Sequence, residues 1–240
     1  MEKPVLYEER DGVAIITLNR SEKRNAISQE LLIFLYDALD RVIAGDHVRA
    51  AVLTGAGTAF CSGLDLTRLA KDNLLDPKGN GSDLTNILPR LNKPLIGAVN
   101  GPAMTGGFEL ALNCDFLLAS TTARFADTHV KMGIHPGWGM SQLLQRRIGL
   151  ARALQMSLTG DFVDAGTALA WGLVNEVLAP EALMPRALEI AARIAQNSRE
   201  MVPMLQSLMK RGSLLPVDQA MELEHREFRR FLEVKGVLKA

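Results

Sequence analysis

Glu109 follows Gly106 by three residues in Met104-Thr105-Gly106-Gly107-Phe108-Glu109, a spacing that can pair an anion-binding backbone with an acid or base. Leu95–Val99 is a short apolar run behind Pro94 and fits a buried strand, ended by Asn100-Gly101-Pro102. Residues 104–107 have little side-chain cover, and Glu109–Asn113 reads as helix. A strand, a glycine turn and a helix start leave unpaired N–H groups at one point in space. Gly106 and Gly107 let another molecule come close to those groups. About one helical turn separates Gly106 from Glu109, so the carboxylate stands beside the N–H groups. The plainer alternative is an acid favoured by the dipole in a helix's first turn, behind a tight glycine turn.

A second small-residue loop, Thr54–Gly63, precedes Leu64-Asp65-Leu66, where another helix is expected with Ser62 as its cap. Asp127-Thr128-His129 leaves a brief strand at 124–126, and a histidine can give or take a proton near neutral pH. Gly133–Gly139 is a glycine-rich turn into a helix over Met140–Ile148, with Trp138 read as packing or pocket lining. Ser62, His129 and an aspartate could be drawn as a hydrolase triad. Phe60-Cys61-Ser62-Gly63-Leu64 is not a G-x-S-x-G elbow, however, and nothing selects the third member.

The elements that must position these residues alternate. Val5–Glu9 and Val13–Leu18 read as a hairpin closed by Asp11-Gly12. Ser28 caps a helix whose apolar positions run from Leu31 to Ile43 at helical period. Ala50–Leu53 is a buried strand, residues 71–83 a polar, mobile surface segment, and Leu84–Leu91 a short helix. Strands and helices alternate to Val177, and helices alone follow from Pro180. That order predicts an α/β core over residues 1–179 and a helical region over 180–240.

Composition narrows the function. The 240 residues are 48% apolar, enough for a full core. Twenty-seven basic and 27 acidic residues cancel, so no global field favours nucleic acid or an anionic membrane. No apolar run approaches the roughly 20 residues that span a bilayer, and the N-terminus lacks the apolar core of a signal peptide. Cys61 and Cys114 form neither a disulfide framework nor a zinc pattern. A cytoplasmic protein without nucleic-acid, membrane or metal partners is expected.

Five segments in register, NRSEKRNAIS (19–28), AFCSGLDL (59–66), KPLIGAVNGPAMTGGFELALNCDF (93–116), GIHPGWG (133–139) and LTGDFVDAGTALAWGLVNEV (158–177), resemble the enoyl-CoA hydratase/isomerase (crotonase) superfamily. The resemblance implies a crotonase-like spiral of repeated ββα units with a C-terminal helical trimerisation region, assembled as a homotrimer or dimer of trimers. It implies an acyl-CoA substrate whose thioester oxygen is held, as an enolate forms, by an oxyanion hole of two backbone N–H groups, here those of Ser62 and Gly106. It places CoA along Lys23, Arg24 and Ala26 and along Gly63, Leu64, Asp65 and Leu66. No separate cofactor is implied, since CoA is part of the substrate.

The sequence departs from the family in two places. Hydratases of the family carry two catalytic glutamates; the first falls on Glu109 and the second on His129. Glu109 is thus the expected main acid–base group and His129 an expected assistant. Hydration, double-bond isomerisation, another reaction on the same fold, and acyl-CoA binding without turnover remain alternatives. Family chains also usually continue beyond the helix matching Glu222–Glu233, and a shortened end would open the acyl pocket or alter assembly. One readout separates the hydrolase alternative: a serine-reactive fluorophosphonate is expected to leave Ser62 unmodified, whereas stoichiometric labelling would restore a nucleophilic serine.

Overall fold

The computed structural model describes residues 2–237. Strand β1 (Val5–Arg10) turns back antiparallel into β2 (Val13–Leu18), with Asp11 and Gly12 both at positive φ, as the hairpin signature requires. Helix α1 (Gln29–Ala44) starts at Ser28, whose hydroxyl accepts the Leu31 N–H. Strands β3 (Ala50–Gly55) and β4 (Leu95–Val99) add in parallel. Between them lie α2 (Leu84–Ile87) and a 3-10 turn over Leu88–Arg90, so the helix expected over 84–91 changes geometry at Pro89.

Next come β5 (Ala103–Met104), α3 (Gly106–Leu112), β6 (Phe116–Ser120), β7 (Arg124–Ala126) and α4 (His129–Met132). Helices α5 (Met140–Ile148) and α6 (Leu150–Thr159), strand β8 (Val163–Asp164), α7 (Ala165–Ala170), β9 (Glu176–Leu178) and α8 (Pro180–Gln196) complete this part. The main sheet has the order β1-β2-β3-β4-β6-β9, parallel beyond the first hairpin, and β5-β7-β8 form a second sheet. The unit repeats: β4, β5 and α3 are followed by β6, β7 and α4. This repeat is the spiral of ββα units that the resemblance implies.

The repeat explains how distant residues meet. Cys61 bridges Ala103 in parallel, and Ala103 pairs with Phe125. Three successive turns of chain therefore lie side by side. Three residues further on, each turn brings Leu64, Gly106 or Thr128 to the same level.

Both faces of the main sheet are covered, which accounts for its continuous apolar strands. Ile16, Leu18, Leu53 and Val99 face the core under α1. Val13, Val52, Ile96 and Leu118 face Leu183, Ala187 and Ala191 of α8. Helix α8 thus belongs to the core, and the boundary expected at residue 180 moves: the two compact units divide between Gln196 and Asn197. The second unit holds α9 (Met201–Gly212) and α10 (Val217–Val234), with Arg211 paired to Glu227 at 3.1 Å. The last three residues of the C-terminal stretch expected to matter for the pocket lie outside the described residues.

Two local expectations change. No helix begins at Leu64; residues 66–71 are turns. Asp65 bonds the Thr67 N–H and hydroxyl, and Asp72 accepts the Gln29 N–H at 2.9 Å, so short side-chain bonds replace the helical ladder. Helix α3, in contrast, begins at Gly106 instead of Glu109. It can do so because Gly107 lies directly on Cys61. A Cβ there would sit 2.6 Å from the Cys61 Cβ and closer still to its carbonyl oxygen. Gly107→Ala is expected to lower stability by about 1–3 kcal/mol through this overlap and to reduce activity by moving α3. Urea unfolding monitored with a rate assay checks both.

Candidate active site

Asn25 ties the basic loop to the small-residue loop. Its buried side chain accepts the Arg20 N–H at 2.8 Å and donates to the Ala56 and Ala59 carbonyls at 2.9 and 2.8 Å. Arg24 and Asn25 both take positive φ, which turns the Arg24 carbonyl onto the Ser62 N–H at 3.0 Å. That bond corrects the expectation for Ser62: its N–H already has an acceptor and is not a free donor. Its hydroxyl leans on the Lys23 carbonyl at 3.4 Å.

The free donor lies two residues on. Ile27 donates to the Gly63 carbonyl at 2.7 Å and accepts from Asp65 at 2.8 Å. Backbone groups alternate in direction along such a bridge, so the Leu64 N–H points away from Ile27. Neither the Leu64 nor the Gly106 N–H has an acceptor among the described residues. The two are neighbours: a Cβ built on Gly106 would lie 3.6 Å from Leu64 Cδ2, and one on Gly63 would lie 3.8 Å from the Gly106 nitrogen.

Thr105 sets the direction of the Gly106 N–H. Its φ of 50° and ψ of −118° are rare for a β-branched residue and cost about 1–3 kcal/mol. Two contacts hold it there: its N–H donates to the Ala126 carbonyl at 2.9 Å, and its hydroxyl meets that of Thr128 at 2.5 Å.

Glu109 is buried at 2% exposure. Its Oε1 accepts the Trp138 N–H at 2.8 Å and the Met140 N–H at 3.1 Å. The glycine-rich turn before α5 therefore serves to hold this carboxylate. The Trp138 indole donates to Asp83 at 3.1 Å, and its ring edge approaches Gly106. Burial pushes the Glu109 carboxyl above its usual range, against the opposing pull of the two N–H groups and His129.

Oε2 of Glu109 faces His129 Nε2 at 3.7 Å, and His129 Nδ1 meets Asp127 Oδ1 at 2.6 Å. Burial pushes Asp127 upward, but hydrogen bonds from His129 and Ser157 outweigh it and hold the carboxyl below its usual range. The structure brings Glu109 and His129 together and adds Asp127, which sequence reasoning passed over. Its signal was present, a carboxylate two residues before a histidine at a strand end. His129 thus pairs with Asp127 and faces Glu109, while the Ser62 hydroxyl has a carbonyl for a partner; no hydrolase triad forms. The other hydrolytic nucleophile type is also inert, since burial pushes the Cys61 thiol up to about 12.

The residues expected to follow CoA border these donors. Lys23 and Arg24 are exposed on a 3-10 turn, Ala26 and Gly63 are buried, and Leu66 is exposed. The Asp65 carboxylate turns inward to Arg20 at 3.0 Å and to Thr67.

An α/β spiral with two free, adjacent N–H groups beside a buried carboxylate defines a class of enzyme scaffold that can hold an anionic oxygen next to a proton-transfer group. The chain belongs to the enoyl-CoA hydratase/isomerase family, whose model matches residues 8–239. It is 40% identical to the probable peroxisomal enoyl-CoA hydratase 1 of Arabidopsis thaliana over 90% of this chain and 82% of that protein. It is 35% identical to the short-chain-enoyl-CoA hydratase of Clostridium acetobutylicum, over 93% of this chain and 87% of that one. The crystal structure of an enoyl-CoA hydratase from Bacillus anthracis superposes with a TM-score of 0.86 at 32% identity, covering 94% of this chain and 90% of that one.

The displaced Glu109 carboxyl predicts a stability profile. Its folded-state pKa is raised above the unfolded value, so its stabilising contribution is complete below about pH 4 and is lost as pH rises through the folded-state value. Glu109→Gln keeps an acceptor for both N–H groups and removes the buried charge. Its melting temperature relative to the parent is expected to be higher at about pH 8 than at about pH 4, as calorimetry at both values would read. An equal difference at the two pH values would contradict the assigned shift.

Proposed function

We propose that this protein is a hydro-lyase that adds water to a 2-enoyl-CoA thioester. The observation that carries this is the pair of free N–H groups on Leu64 and Gly106 beside Glu109. A thioester oxygen between them gains negative charge as water adds to the conjugated double bond. Each such donor is worth about 3 kcal/mol in the transition state. Gly106 keeps its expected role and Leu64 takes the one first read at Ser62. Glu109 is the main acid–base group, within the same turn of helix as the second donor.

CoA runs along the loops at 23–26 and 62–66, with Lys23 and Arg24 toward its phosphates. No metal or redox cofactor takes part in this reading; CoA arrives with the substrate. Assembly as a homotrimer or dimer of trimers is supported by apolar side chains left open on α6, Leu150, Leu154 and Leu158. Two buried free thiols suit a reducing compartment such as the cytoplasm, and no helix among the described residues is long and apolar enough to cross a membrane.

Purified protein mixed with crotonyl-CoA is expected to consume the conjugated enoyl absorbance, and Glu109→Gln to slow this by about 10²–10⁴ while still binding the thioester. Migration of the double bond in a 3-enoyl-CoA without hydration would assign the site to isomerisation. Binding of several acyl chains with no turnover would make the protein a carrier.

A further inference from the structure

The position facing Glu109 holds an imidazole, and that imidazole does not stand alone. His129 Nδ1 lies 2.6 Å from Asp127 Oδ1, and the same oxygen accepts the His129 backbone N–H at 3.2 Å. All three side chains are nearly closed off from solvent, with His129 at 6%, Asp127 at 4% and Glu109 at 2% exposure. We propose that Asp127 and His129 are this chain's second proton-transfer unit: Asp127 keeps a proton on Nδ1, and Nε2 is left to accept one beside Glu109.

The argument starts from donors and acceptors. An ionised carboxylate can only accept, so the ring nitrogen that meets it must carry hydrogen. The groups around Asp127 favour that ionised form, with Ser157 of α6 as a further hydrogen-bond partner. In the neutral ring Nε2 is then the free nitrogen. It stands 3.7 Å from Glu109 Oε2, too far for a direct hydrogen bond and near enough for both atoms to touch one water. Glu109 presents this oxygen because its other one is occupied by the Trp138 and Met140 N–H groups. The nearest lysine in sequence, Lys131, is turned to the Gly160 carbonyl at 2.7 Å and to Asp161 at 3.5 Å.

The proposal rests on the hydratase reading and completes its proton balance. Water gives one proton to Nε2 as its oxygen forms the bond to C3 of the enoyl group. The double-bond electrons move to the thioester oxygen held by Leu64 and Gly106. As that enolate collapses, the Glu109 carboxyl gives its proton to C2. The imidazolium and the carboxylate so formed restore the starting state by passing one proton back. One water is added and nothing else is consumed. Burial shifts Glu109 in the direction that favours the protonated carboxyl this step uses.

The test joins nitrogen NMR of histidine-labelled protein with crotonyl-CoA kinetics. His129, assigned by its loss in His129→Gln, is expected to show Nδ1–H with a bare Nε2. In Asp127→Asn the preference for Nδ1–H is expected to weaken. Its kcat should fall about 10²–10⁴-fold, as when an amide replaces the carboxylate behind a catalytic imidazole, with KM changed less than about threefold. Retained crotonyl-CoA binding shows that the variant is folded. The tautomer in the unmodified protein decides the matter even if Asp127→Asn does not fold. An Nε2–H tautomer, an Nε2 protonated throughout about pH 6–9, or a His129→Gln kcat within about threefold of the parent would overturn the proposal while leaving the hydratase reading standing. Absence of enoyl-CoA hydration in the unmodified protein would remove the hydratase reading and the proposal with it, whichever tautomer is found.

Discussion

The contact between Gly107 and Cys61 constrains everything else in the site. The first turn of α3 presses against the backbone of the 61–64 loop so closely that no Cβ fits between them. Two N–H groups from residues 42 positions apart can face one oxygen only if their backbones meet in this way. A side chain at 107 would separate the loop from the helix and dissolve the pair. The parallel bridge from Cys61 to Ala103 continues the same contact into the second sheet. Strain at Thr105 is the local consequence: the chain must reverse sharply between β5 and α3, and two hydrogen bonds hold it in an unfavourable backbone state.

Burial then acts on two carboxylates with opposite results. Glu109 and Asp127 are both removed from water, which by itself disfavours charge on each. Asp127 receives hydrogen bonds from His129 and Ser157 and is held in its ionised form. Glu109 receives two backbone N–H groups on one oxygen, and desolvation still dominates. Two acids driven apart in this manner can hold different protonation states at one pH, which acid–base catalysis needs. The imidazole stands between them, joined to Asp127 through Nδ1 and turned to Glu109 through Nε2.

The scaffold allows this because the sheet under the site is covered on both faces. Helix α1 lies over one face and α8 over the other, so the loops at the strand ends can carry strain and buried charge without exposing the core. Asn25 does comparable work among the loops, joining the basic loop to the small-residue loop through one buried amide. An unpaired amide there would be costly, so these three hydrogen bonds tie the loops beside Leu64 to one another.

The sequence by itself determined the alternation of strands and helices, the hairpin at Asp11-Gly12, the Ser28 cap, the family, and the nearness of Glu109 to Gly106 within one turn of chain. Each is written in local chemistry: period, turn type, capping, or a motif of neighbouring residues. It misplaced the start of α3 and a helix at Leu64, because the deciding interactions, Gly107 on Cys61 and Asp65 on Thr67 and Arg20, override helical propensity. Only the tertiary structure showed that the Ser62 N–H is taken by the Arg24 carbonyl while the Leu64 N–H has no acceptor among the described residues. That choice depends on which way a backbone N–H points once Arg24 has taken its neighbour, and no residue type records direction. The same holds for Glu109, whose oxygen is held by N–H groups of Trp138 and Met140 about 30 positions away. It holds as well for Asp127, whose place behind His129 follows from how the chain leaves β7. Side-chain types are read along the chain; the aim of main-chain groups is decided by packing between turns of the spiral.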